Sequence, residues 1–159
     1  MWTDFFVAAA GASAALAGLV FVALSVNISH IIRAPHLPPR AAATIGTLIL
    51  ILVSSMAALI RQPMAALGVE IIVFGLYGCW LQLSSARQGF VARAKLQRPR
   101  WESVLNAVLG QIQVLPFILG GVLLLARSDD GFYWVAGGCI AVFILSVLNA
   151  WVLMVEILR

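Results

Sequence analysis

Apolar residues along this chain come in five long blocks, and the polar residues gather in the stretches between them. A hydrocarbon layer about 30 Å thick needs around 20 apolar residues at 1.5 Å each. Five blocks meet that length and predict transmembrane helices over residues 5–31, 41–60, 64–84, 103–125 and 132–158. The first is expected to end at "RAPHLPPR", because prolines 35, 38 and 39 cannot continue a helix. "RQP" closes the second. The connections after the second and fourth blocks are short, so both pairs are expected to form antiparallel hairpins. With no repeat or linker in view, residues 1–159 read as a single transmembrane domain, an all-α polytopic membrane helix bundle.

Charge then sets an orientation. Of the ten basic residues, Arg87, Arg93, Lys95, Arg98 and Arg100 lie in the loop between the third and fourth spans. Arg33, Arg40 and Arg159 fall on the same side, against Arg61 and Arg127 on the other. Basic residues concentrate on the cytoplasmic side, so the N-terminus is expected outside and the C-terminus in the cytoplasm. Aromatic residues agree: Trp2, Phe5, Phe6, Tyr133 and Trp134 fall near the outer boundary, and Trp80, Trp101 and Trp151 near the inner one. The start "MWTDFF" carries Asp4 and its apolar run continues to Ile32, which reads as a retained helix and not a cleaved leader. A composition 63% hydrophobic and 10% charged fits a lipid bilayer as the surrounding solvent. The net charge of +4 is topological and points to no nucleic acid.

The first span is built from small residues. At 100° per residue, Gly11, Ala14, Ala15 and Gly18 share one face, continued by Val22, Ser25 and Ser29. In lipid nothing hydrophobic pulls helices together, and small faces let backbones approach. The partner of this face is another helix of the same chain, or the same helix in a neighbouring subunit; alternatively part of the face walls a pore.

Intramembrane polar residues are costly and point to function or to helix contacts. Glu102, Asn106 and Gln113 form a stripe on the fourth span that leads into a kink expected at Pro116, a candidate hinge. Such a stripe suits either a polar pathway or cavity, or interhelical hydrogen bonds. Asn27, Asn106 and Asn149 fall at similar depth on three helices and could form one cluster, while Glu156 is expected to meet Arg33, Arg40 or Lys95. Glu70 stands about 9 Å inside the outer boundary by helical rise, with Tyr77 and Ser84 on its face. It is a candidate for a cation or a proton, or else a carboxylate that reaches Arg61 or water.

Chemistry of other kinds lacks its residues. His30 and His36 have no ligand partners at metal-site spacing, and Asp4, Asp129 and Asp130 all lie outside the spans. Cys79 and Cys139 fall at different depths and read as small buried hydrophobes. The expectation is a protein that is not an enzyme, with no catalytic residue, metal or cofactor.

The run "DFFVAAAGASAALAGLVFVALSVNI", followed by "LPPRAAATIGTLILILV", resembles a family of small multi-pass bacterial membrane proteins of the actinobacterial type, some of them labelled modulator of the FtsH membrane protease. The resemblance covers the first two helices and implies a location in the bacterial plasma membrane, multi-pass. Two functions follow as expectations: a homo-oligomeric channel or transport-like bundle with Glu70, Asn27, Asn106, Gln113 and Asn149 near its path, or an accessory subunit of a larger membrane complex such as a membrane protease. Self-association and a membrane protein partner are the expected interactions.

Overall fold

A computed structural model describes residues 2–33, 37–94 and 100–158, excluding the side chains of residues 30, 32, 33, 37, 89–94, 100–103, 106 and 152–158. The described residues are helical, with no strand among them: α1 (Trp2–Val26), α2 (Ile28–Arg33), α3 (Leu37–Leu59), α4 (Met64–Ala94), α5 (Arg100–Ile112), α6 (Leu115–Leu125) and α7 (Asp130–Leu158). Five helical stretches are long and apolar enough to cross a membrane: Trp2–Val26, Pro38–Leu59, Met64–Gln88, Ala107–Leu125 and Asp130–Trp151. The fourth of these is carried across a break between α5 and α6.

Three boundaries differ from those expected. The first span is interrupted at Asn27, where the backbone N–H bonds Leu24 O at 3.2 Å and the side-chain amide bonds Ala23 O at 2.9 Å. A side chain that occupies its own helix's carbonyl competes with the regular ladder, and the chain restarts as α2. The second span begins before Pro38 and Pro39 and not after them. Proline is tolerated in a first turn, where its missing N–H would have no helical partner anyway. The third continues to Ala94, so part of the basic segment extends the helix.

Helices α3, α4, α6 and α7 form a bundle, and α1 lies against α3 on its flank. Of the five spans α3 is the most enclosed and α1 the least. The core is formed by Leu48, Ile51, Ile71, Val114, Phe117, Leu124, Val135 and Val142, all fully buried. At one end, Trp2, Phe5 and Phe6 of α1 meet Phe132 and Tyr133 of α7 in a ring cluster, with Trp2 4.7 Å from Tyr133 and 5.7 Å from Phe132. That cluster puts the starts of α1 and α7 at the same end of the bundle.

Glycine sets the closest approaches. A Cβ on Gly121 would lie 2.9 Å from Gly68 O, and one on Gly68 would lie 2.7 Å from Gly121 O, so the α4 and α6 backbones touch there. The neighbouring Gly120 stands in the same reciprocal relation to Gly131 of α7, at 2.8 and 2.6 Å. The dipeptide thus lets α6 wedge between α4 and α7. The turn that follows is a Schellman closure: Ser128 N bonds Leu123 O and Arg127 N bonds Leu124 O, both at 2.9 Å. Arg127 occupies the left-handed position, with φ of 62°, where glycine is usual. Ser128 then exchanges hydrogen bonds with Asp130 at the start of α7, at 3.2 and 3.3 Å.

Candidate functional site

Buried polar side chains collect along one face of α3. Arg40, Thr44 and Thr47 follow one another at three- and four-residue spacing, Ser54 and the adjacent Ser55 come two turns later on the same side, and all but the half-buried Arg40 are buried. Ser146 and Asn149 continue the Val135, Cys139 and Val142 face of α7, a helix that packs on both α3 and α6. The two faces are tied at one end, where Arg40 Nη2 donates to Asn149 Oδ1 at 3.0 Å. The hydroxyl of Thr44 donates to Arg40 O at 3.0 Å, and that of Thr47 to Ala43 O and Thr44 O at 3.2 and 3.0 Å.

The break between α5 and α6 adds Gln113. Val114 N turns back to Gln111 O at 3.0 Å instead of reaching a carbonyl four residues away, and Phe117 N bonds Val114 O at 3.0 Å. Pro116, in the first turn of α6, has no N–H to offer Ile112 O. Gln113 sits in this break with 2% of its surface exposed. Gln111 turns to α4, where its amide donates to Cys79 O at 3.3 Å. Among the described residues, four atoms are buried without a hydrogen-bond partner: Ser54 Oγ, Ser55 Oγ, Gln113 Oε1 and Ser146 Oγ. A buried polar group left unpaired costs about 1–3 kcal/mol. Four of them would together weigh as much as a typical domain's whole stability, about 5–15 kcal/mol.

Glu70 has a different setting. The Gln62 side-chain amide donates to Glu70 Oε2 at 2.8 Å and to Ala57 O at 3.1 Å, so one glutamine ties the end of α3 to the second turn of α4. The carboxylate is half-buried and acts as an anchor for the hairpin. Tyr77 points outward and stacks on Trp80 at 5.9 Å, while the Ser84 hydroxyl donates to Leu81 O at 2.8 Å.

Two members of the expected asparagine cluster have hydrogen bonds of their own. Asn27 bonds within α1 and Asn149 takes Arg40, while the Asn106 side chain lies outside the described residues, as do those of Glu102, Glu156 and His30 and the whole of Lys95 and His36. The small-residue face also turns away from the chain. Gly11, Ala14, Ala15 and Gly18 are exposed, and a Cβ on Gly11 or Gly18 would meet nothing within 4 Å. Helix α1 uses Phe6, Ala9, Ser13 and Val20 to pack instead. Among the described residues that face meets no helix of the same chain, because α1 turns its opposite side to α3.

Sequence reasoning passed over Arg40, Thr44, Thr47, Ser54, Ser55 and Ser146 as part of this interior. The three- and four-residue spacing of Arg40, Thr44 and Thr47 is the available signal. Threonine and serine inside an apolar block read as neutral filler until the partner helix is known. Comparison with protein-family models, with curated proteins and with solved structures finds no match.

Proposed function

We propose that this protein is a non-enzymatic, multi-pass protein of the bacterial plasma membrane, N-terminus outside and C-terminus in the cytoplasm, that works by lateral association through α1. It serves as an accessory or regulatory subunit of the membrane assembly it joins. One observation carries this reading: Gly11 and Gly18 lie a short stretch apart on one helix and both open onto empty space, as does the single Gly137 on α7, whereas glycines 46, 68, 75, 78, 110, 120, 121, 131 and 138 each meet a neighbouring side chain or backbone. Inside the bundle this chain places glycine where helices touch. The same residue on the outer face of α1 prepares a contact with a helix outside it. The resemblance of the first two helices to membrane proteins labelled as modulators of a membrane protease fits a partner of that kind.

The test is mild solubilisation of native membranes followed by size analysis of the assembly. The wild-type protein is expected in a larger complex, and Gly11→Leu with Gly18→Leu is expected to release it. A wild-type protein that runs as a lone monomer overturns the proposal.

A second reading is favoured by the unpaired polar atoms of the interior. In it the protein is a homo-oligomeric channel or transport-like bundle whose path follows the α3 face and Gln113, with the α5–α6 break as hinge. Flux through purified protein in liposomes tests it. Under this reading Glu70 anchors the hairpin beside the path, and Glu70→Gln leaves ion dependence unchanged.

A further inference from the structure

The partnerless atoms of the interior fall into an order. The Arg40–Asn149 bond fixes the antiparallel register of α3 on α7. One turn farther in, Thr44 and Ser146 reach about the same depth, roughly 5–6 Å from that bond by helical rise. A second turn brings Thr47 level with Val142, roughly 10 Å in. Gln113 belongs to this second level. A Cβ on Gly138 of α7 would touch Phe117 at 2.7 Å and Pro116 at 3.3 Å, and Gln113 precedes those residues toward the Arg40 end. Arg40 with Asn149, Thr44 with Ser146, and Thr47 with Gln113 therefore succeed one another at intervals of about one helical turn.

The hydrogen-bonding capacities along this series leave gaps of one kind. The hydroxyls of Thr44 and Thr47 donate to backbone carbonyls and keep lone pairs that can accept. Ser146 Oγ can donate and makes no hydrogen bond, and Gln113 Oε1 can only accept and receives none. A small molecule that both donates and accepts would complete the series. Water meets those terms, and buried water typically bonds two to four otherwise unsatisfied groups. Farther from Arg40, the fully buried Ile51, Phe117, Cys139 and Val135 are apolar and give water no partner.

We propose that a chain of internal water enters the bundle at the Arg40–Asn149 end, runs along the seam between α3 and α7, and stops at Gln113. It is a half-path closed by an apolar plug, with Ser54 and Ser55 as separate polar positions beyond the plug. This half-path is independent of association through α1 and supplies the route for the transport reading. The two fail separately, since a hydrated seam without flux leaves the water in place, and flux through a dry seam sends the path elsewhere.

Water-edited solid-state NMR of the wild-type protein in lipid bilayers tests it directly. Magnetisation from water is expected to reach the side chains of Ser146, Thr47 and Gln113 several-fold faster than those of Val142 and Leu48, their buried neighbours in depth. Build-up at Ser146 and Gln113 as slow as at Val142 overturns the proposal. Gln113→Leu is expected to slow transfer to Thr47 and leave Ser146 fast; equal slowing at both, in protein whose Cys139 remains protected, refutes the ordering. If that variant does not fold, the wild-type comparison decides alone.

Discussion

Replacing Gly121 by alanine adds one methyl group where the α4 and α6 backbones meet. The new Cβ would stand 2.7 Å from Ile72 Cγ1, 2.9 Å from Gly68 O and 3.1 Å from Ile72 N. Two of those three atoms are backbone, so no rotamer change relieves the contact and the helices must part. Overpacking of this kind costs about 1–3 kcal/mol, and unyielding neighbours place it in the upper half of that range. Alanine recovers about 0.5–1 kcal/mol over glycine within a helix. The expected net loss is about 1–2 kcal/mol, which lowers the thermal midpoint by about 2–4 °C per kcal/mol in a chain of this size. Cys139, fully buried, provides the assay: a dye that fluoresces on reacting with thiols reports its release as detergent-solubilised protein is heated. Gly137→Ala is the control, since nothing lies within 4 Å of its Cβ position and only the helix gain remains. The two variants should move the midpoint in opposite directions. Shifts of the same sign and size would refute the close-approach argument. Adding Gly68→Ala to Gly121→Ala should cost less than its effect alone, because the first substitution has already separated the helices.

Arg127→Gly should raise the midpoint slightly in the same assay, since a non-glycine residue at a φ of 62° carries about 1–2 kcal/mol of strain, which glycine's greater unfolded-state freedom only partly offsets. Glu70→Leu should destabilise the α3–α4 hairpin by about 1.5–3 kcal/mol through loss of the Gln62 bond, while Glu70→Gln should retain most of the stability; denaturant titration distinguishes them. Arg40→Ala and Asn149→Ala should show a coupling energy of about 0.5–3 kcal/mol in a double-mutant cycle, and strict additivity would remove the bond as the tie between α3 and α7.

The five spans were legible because apolar length is a direct physical requirement of a bilayer and needs no knowledge of neighbours. The kink at Pro116 was legible for a similar local reason: proline lacks the donor that would bridge it. The partners were not. Helical periodicity shows that Gly11, Ala14, Ala15 and Gly18 share a face, but not whether α3 lies under that face or under the opposite one. Arg40 was read as a loop charge because Pro38 and Pro39 were taken as an end of helix, when in a first turn they are a beginning. Glu70 drew attention as an isolated carboxylate, and its partner Gln62 lay in a three-residue turn whose geometry no spacing rule supplies.

The outward face of α1 acquires its meaning from the interior. Glycine in a helix costs about 0.5–1 kcal/mol relative to alanine, so a position that retains it without steric need is a standing loss. At Gly68, Gly120, Gly121 and Gly131 the loss is offset within the chain, because any larger residue would collide with a neighbouring backbone. At Gly11 and Gly18 nothing in the chain offsets it, and lipid would accept alanine or leucine equally well. The same holds for the low enclosure of α1, which leans on one helix while the other four enclose a core. Helix α1 thus carries unreturned glycine cost on its free side and is held to its own bundle chiefly by α3 and the ring cluster around Trp2, and under the association reading a second contact offsets that cost. On that reading the contact lies outside the chain, and the bundle of α3, α4, α6 and α7 is the platform that presents it.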